Sequence, residues 1–358
     1  MKSRIVWIVI VLTLLAGCAK ATPEAATGEP RVLRVMVYDS FSVSEEVIAR
    51  FEAANNATVQ FLKAGDAGKM LNQAILSRDN PQADVLYGLD NTFLSRALNA
   101  NIFEPYKAKN LSAIPKALHL DSKYRVVPTD FGDVCLNYDK AYFAEHALPV
   151  PQSLADLTKP EYKGLLVVEN PASSSPGLAF LIATIGAFGE EGDAEYSYLD
   201  FWKDLRANDV LVVDGWDTAY YNEFSGGAYS EGVRPLVVSY ATSPAAEVYF
   251  SEGALTEPPT VAVTAPGTCF RQIEFAGILK GTENRDLAEA FIEFLLSADF
   301  QADIPLQMWV FPANPTVALP QVFTDFALEA TQPAEVPAAA IEKNREKWIE
   351  AWSDVVLR

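Results

Sequence analysis

Two acidic residues stand at the ends of two neighbouring expected strands: Asp39 in Tyr38-Asp39-Ser40-Phe41 and Asp90 in Gly88-Leu89-Asp90-Asn91. In a helix-flanked parallel sheet, ligands bind beyond the carboxyl ends of strands, so both carboxylates are candidates for holding an amine or a cation. Asp also caps helices, and that role is the alternative for each. A third loop, residues 171–177 (PASSSPG), follows a strand and opens a helix, where unpartnered N–H groups and hydroxyls suit an anion. Aromatic residues complete the set: Trp216 after one strand, Tyr240 at the end of another, and Trp309 in a loop of the returning chain. Ring faces are electronegative, so several such positions around one cleft favour a flat cation. Adjacent Tyr220 and Tyr221, with Asp217 and Glu223 nearby, offer a second chemistry, ferric iron held by phenolates. On a helix, one of two successive residues normally points inward as packing.

Enzymatic chemistry is poorly supported. Gly-x-Ser-x-Gly and a Gly-rich nucleotide loop are both absent, and His119 and His146 are the only histidines. Zinc sites and His-dependent triads therefore lack their residues, and no metal site is expected. The formal charge of −19 repels nucleic acid and anionic headgroups, which argues against a nucleic-acid partner.

The elements that position these residues alternate strand and helix. Strands are expected at 32–38, 57–62 and 83–87, and helices at 44–54, 68–77 and 91–100, with Ser42 or Ser44 as the first cap. Such repetition implies a parallel sheet covered by helices. Residues 125–138 read as an extended segment entering a second lobe. That lobe has strands at 164–168, 210–213 and 236–240 and helices at 177–188 and 194–206. A second extended run, 268–279, crosses back, followed by helices at 286–296 and 338–356. Two crossings between two α/β lobes describe a clamshell with a hinge. The expected division is lobe 1 at 32–127 plus 273–320, lobe 2 at 128–272 and a helical tail at 321–358.

The N-terminus gives an address. Lys2 and Arg4 precede the uncharged run 5–17, too short to span a bilayer comfortably and fitting a signal peptide at 1–17. Leu15-Ala16-Gly17-Cys18 resembles the bacterial lipoprotein signal, which makes Cys18 the expected lipidation site and the protein extracytoplasmic and membrane-anchored. Residues 18–31 then form the lipidated Cys and a tether whose small, polar composition suits a solvated chain. Cys135 and Cys269 remain, and outside the cytoplasm they form one disulfide if the fold brings them together.

Several runs in combination resemble the substrate-binding proteins of bacterial thiamine ABC transporters, within the type II periplasmic binding protein fold. They are 38–41 (YDSF), 83–91 (ADVLYGLDN), 127–140 (VPTDFGDVCLNYDK), 171–178 (PASSSPGL), 215–220, 236–245 (LVVSYATSPA) and 304–312, and the likeness extends over about residues 32–358. The resemblance implies a monomeric capture protein without cofactor that carries thiamine or its phosphate esters to a permease. It implies that Tyr38 contacts the ligand and that Asp39 and Asp90 lie near its amine or thiazolium. Trp216, Tyr240 and Trp309 are then the aromatic walls, and Ser174, Ser175 and the Gly177 amide hold a hydroxyl or phosphate. Two departures stand out: Ala246 where some members carry Tyr, and Glu45 near a position where some carry Trp. Thiamine-degrading enzymes share this fold and need a nucleophilic Cys, for which Cys135 is the candidate to exclude.

Overall fold

In the computed structural model, which describes residues 29–190, 192, 195–227 and 230–358, one mixed sheet runs through the whole molecule. Its strands are β1 (Arg31–Val37), β2 (Ala57–Lys63), β3 (Val85–Asp90), β4 (Phe103–Glu104), β5 (Val127–Asp139), β6 (Leu166–Glu169), β7 (Leu211–Val213), β8 (Leu236–Tyr240), β9 (Thr260–Val263), β10 (Phe270–Leu279) and β11 (Phe311–Pro312). The order is β2-β1-β3-β10-β5-β8-β6-β7, with β4 on β10 and both β9 and β11 on β5. Strands β1, β2 and β3 are parallel at one end, and β6, β7 and β8 at the other. The two halves are joined through β5 and β10, which pair antiparallel. These are the two extended crossings expected from sequence. The signal peptide and Cys18 lie outside the described residues, as does Ala194.

The helices cover the sheet: α1 (Glu45–Asn55), α2 (Ala67–Leu76), α3 (Leu94–Asn99), α4 (Lys140–Glu145), α5 (Ser175–Phe188), α6 (Tyr198–Ala207), α7 (Ser243–Phe250), α8 (Arg285–Leu295), α9 (Ala298–Gln307), α10 (Gln321–Phe326) and α11 (Ala338–Val356). Their placement follows their patterns. In α8, Leu287, Ala288, Phe291, Ile292 and Leu295 form one buried stripe. Helix α5 is apolar on every side, and residues 175–185 are all buried. Ser197 and Asp200 form a capping box that starts α6 later than the expected 194. Helix α11 inserts Trp348 and Trp352 into the core, and the Trp352 ring meets Trp202 of α6 edge-on at 5.5 Å.

The difference that matters most is at β3. The sequence pattern ends this strand at Tyr87, yet β3 continues to Asp90. Gly88 adopts φ +92 and is skipped in the ladder, because Tyr87 pairs with Ala276 and Leu89 with Phe275. The glycine thus serves a β-bulge rather than a turn. A Cβ there would come within 2.3 Å of the Tyr38 ring, so the missing side chain is also what lets Tyr38 lie against the strand.

Cys135 on β5 and Cys269, just ahead of β10, form a disulfide with Cα atoms 4.3 Å apart. Both are fully buried among Ala241, Ala262 and Ala330.

Candidate functional site

Between the halves of the sheet lies a cavity of about 580 Å³, within the usual range for a small-molecule site. Tyr38 just after β1, Asp66 and Ala67 at the start of α2, Ser175 and Pro176 of α5, Tyr240 at the end of β8 and Glu274 of β10 line it. Two aromatic groups also line it, Trp216 with Tyr220 and Trp309 with Tyr249 and Phe250. Asp66, Glu247 and Glu274 are the acidic lining residues, and no lining residue is a Lys or Arg.

The aromatic walls are held by specific contacts. Trp216 stacks on Tyr220 with ring centroids 5.0 Å apart and planes 18° apart. Its Nε1–H donates to Ser239 Oγ at 2.9 Å, which fixes the indole in plane. Trp309 sits at φ +57 and contacts Tyr249 and Phe250, each at 5.2 Å, while Phe323 stacks behind it at 5.9 Å. Thr242 Oγ1 donates to the Trp309 carbonyl and ties that loop to the start of α7. Tyr240 O–H donates to Gln272 Oε1 at 3.3 Å, and Tyr38 O–H donates to Glu274 Oε2 at 3.2 Å.

The structure therefore brings Tyr38, Ser175, Trp216, Tyr240 and Trp309 to one cavity, and four other expected residues have different positions. Asp39 is exposed and does not line the cavity. Its Oδ1 accepts from Gly65 N–H at 3.0 Å, the turn-capping role that Asp often serves. Asp90 is fully buried, accepting from Thr92 N–H at 2.7 Å, Thr92 Oγ1 at 2.5 Å and Ser175 Oγ. It closes a turn and links the two halves of the molecule. Ser174 is fully buried and outside the cavity lining. Gly177 packs on β6, where a Cβ would lie 2.5 Å from the Glu169 carbonyl oxygen, so its role is close helix–strand approach rather than anion binding.

The anion site expected at the start of α5 already has an occupant. The Asp66 carboxylate accepts from Ala67 N–H at 2.7 Å and reaches across the cleft to Ser175 N–H and Trp216 N–H, both at 3.4 Å. Burial nevertheless pushes its pKa up to about 6, outweighing these hydrogen bonds.

Sequence reasoning missed Asp66, Glu247, Tyr249, Phe250 and Glu274. Tyr249 and Phe250 supply, three and four residues on, aromatic surface near the position where Ala246 departs from the family pattern. Glu274 had a readable signal, a lone acid inside the apolar strand FRQIEFAGIL.

Several buried acids share a direction of shift. Burial raises Asp66 and Asp130 to about 6, lifts Glu274 and Glu169 well above their ordinary values and raises Asp90 as well. The folded chain then holds protons that the unfolded chain has lost between roughly pH 4 and 6, so folding stability falls as pH rises through that window. Thermal unfolding without ligand is expected at a higher temperature near pH 5 than near pH 7.5. Below about pH 4 the trend reverses, because Asp156 and Asp200, hydrogen-bonded beside Lys159 and Lys203 and lowered to about 2, lose their pairing. A midpoint independent of pH from 5 to 7.5 would contradict the burial of these acids.

The paired tyrosines are divided by the fold. Tyr220 is buried with its hydroxyl donated to Glu247 Oε1 at 2.5 Å, whereas Tyr221 is exposed on the same π-helical turn, residues 218–223. Burial lifts Tyr220 well above its ordinary value, opposing phenolate formation. Among the described residues, no group of three or more His, Cys, Asp or Glu is arranged to hold a metal ion.

Residues 80–344 match the family model for bacterial extracellular solute-binding proteins. The thiamine-binding periplasmic protein of Salmonella typhimurium is 30% identical over 97% of this chain and 98% of its own length. A solved structure titled periplasmic thiamin binding protein superposes with a TM-score of 0.78 at 26% identity, covering 95% of this chain and 100% of that one. Iron-bound HitA from Pseudomonas aeruginosa superposes with a TM-score of 0.73 at 18% identity over 91% of this chain and 99% of its own, a likeness of fold. The chain belongs to the bacterial extracellular solute-binding protein family.

Proposed function

We propose that this member of the extracellular solute-binding family captures thiamine outside the cytoplasm and delivers it to the membrane subunits of an ABC importer. The observation that carries the reading is the cavity's composition: aromatic walls, three carboxylates and no cationic side chain in its lining. A permanently charged flat ring is attracted by ring faces and carboxylates alike, and pH cannot neutralise it. The thiamine-binding relatives agree with that chemistry. Binding in the cleft shifts the hinge equilibrium to the closed form that a permease can recognise. A lipid anchor at Cys18 would keep the protein beside its permease. Phosphate esters, the other ligands expected, would meet the Asp66 carboxylate at the start of α5.

Capture rather than catalysis is supported by Cys135, which is buried and disulfide-bonded instead of facing the cavity as a thiolate. The ferric reading is weakened by Tyr220, whose hydroxyl is committed to Glu247. Mass spectrometry of protein purified under native conditions is expected to find thiamine, or a phosphate ester of it, released on denaturation. Added ferric iron is expected to produce no visible phenolate charge-transfer band. Such a band, with no thiamine-class ligand retained, would favour the iron reading.

A further inference from the structure

Three carboxyl side chains stand in one transverse row across the middle of the sheet. Glu274 on β10 is the direct register partner of Asp90 on β3 and of Asp130 on β5. Directly opposed residues of antiparallel strands project to the same face with Cβ atoms about 5 Å apart. Their exposures are 0% for Asp90, 6% for Glu274 and 0% for Asp130, and none is in an ion pair among the described residues.

Their hydrogen bonds are uneven. Asp90 is well supplied by Thr92 and Ser175. Asp130 Oδ2 accepts from Tyr87 O–H at 2.7 Å and Thr129 Oγ1 at 2.8 Å, while its Oδ1 is buried without a partner. Among the described residues Glu274 accepts from Tyr38 alone, at 3.2 Å, and it is the only one of the three that lines the cavity. The other titratable groups facing the row are Tyr38 from β1, Tyr87 from β3, Tyr240 from β8 and Asp66 from the cap of α2. The cation that feels the row is Arg345 of α11, which interacts with Asp90, lies over the Phe93 ring and pairs with Glu346.

Opposed carboxylates with no cation between them repel, and such a pair ionises together only at high cost. Nor is the row arranged to hold a metal ion, since no such group exists among the described residues. A diffuse organic cation against Glu274 is what it suits.

We propose that Glu274, backed by Asp130, is the counter-ion of the bound cation, and that the pair holds a proton which the cation displaces on entry. This rests on the thiamine reading above and adds how the site recognises and is regulated. In the exchange a carboxylic O–H bond breaks, its proton passes to solvent buffer, and the ligand's positive ring replaces it, leaving the cavity's net charge unchanged. Burial and the facing charge of Asp130 raise Glu274, and burial raises Asp130 to about 6, in keeping with a shared proton near neutral pH.

The test is calorimetric titration of thiamine into the protein at pH 7 in phosphate and in Tris, whose ionisation heats differ. The difference is expected to report release of about one proton per thiamine bound. Glu274→Gln is expected to weaken binding at least about tenfold and to abolish the release. Asp130→Asn removes one opposing charge but leaves the burial that raises Glu274 most, so release is expected to fall below one proton per thiamine while affinity stays within about threefold. Thiamine bound with buffer-independent heat, or bound equally well by a folded Glu274→Gln protein, would overturn this inference alone. A wild-type protein that takes up no thiamine would overturn the ligand reading, and this inference with it. The wild-type proton count needs no variant and so does not depend on any variant folding.

Discussion

Replacing Cys135 and Cys269 together with alanine is expected to lower the free energy of unfolding by about 3–5 kcal/mol, from the entropy of closing a very long loop. The bond joins positions 134 residues apart, and it clips the first hinge strand to the residue preceding the second. Alanine is the informative replacement because both sulfurs lie in a pocket lined by Ala241, Ala262 and Ala330. Serine would add a buried hydroxyl in need of a partner and confound the reading. Guanidinium unfolding of the oxidised protein and the double variant gives the comparison. Because both sulfurs are fully buried, reductant without denaturant is expected to leave the bond intact. Equal midpoints for the two proteins would show that the bond contributes nothing to the folded state.

Trp216→Ala is the substitution expected to cost most affinity among the aromatic walls, about 30- to 100-fold for thiamine, as the loss of a desolvated cation–π face and its contact area. The indole is held on both sides, stacked on Tyr220 and hydrogen-bonded to Ser239, so its face is presented without a further ordering cost. It is only partly buried, and its removal is expected to leave the thermal midpoint of the unliganded protein within a few degrees. Trp216→Phe should recover part of the loss by restoring a ring face without the N–H. Fluorescence titration of the three proteins gives the comparison, and unchanged affinity in Trp216→Ala would remove this wall from the site.

The fold was legible wherever hydrophobic period and chain direction agreed. Strands β1 and β2, helix α8 and the two crossing strands β5 and β10 all announce themselves by pattern, and the clamshell follows from them. The aromatic walls were legible for a related reason: Trp216 comes shortly after the apolar strand β7 and Tyr240 ends the buried strand β8, which places both at strand ends. The carboxylates were not. An Asp at a strand end has the same local appearance whether it caps a turn, as Asp39 does with Gly65, or touches a ligand. Asp90 has a different position because the expected strand ends at Tyr87, whereas a bulge at Gly88 carries β3 on to Asp90. Glu274 and Asp130 meet through strands 144 residues apart in sequence, a pairing set by sheet register and invisible to local pattern. Asp66 was overlooked because its importance comes from reaching α5 across the cleft, a contact no window of sequence contains.

The cavity's defining property is that it pairs aromatic faces with carboxylates and offers no positive charge in its lining. Titration calorimetry of the purified chain with thiamine tests that property most directly. The expected result is one saturable site with a dissociation constant of about 1 µM or tighter, as two or three cation–π contacts together with buried apolar area and the lining carboxylates allow. Absence of both binding heat and thermal shift with thiamine would contradict the account.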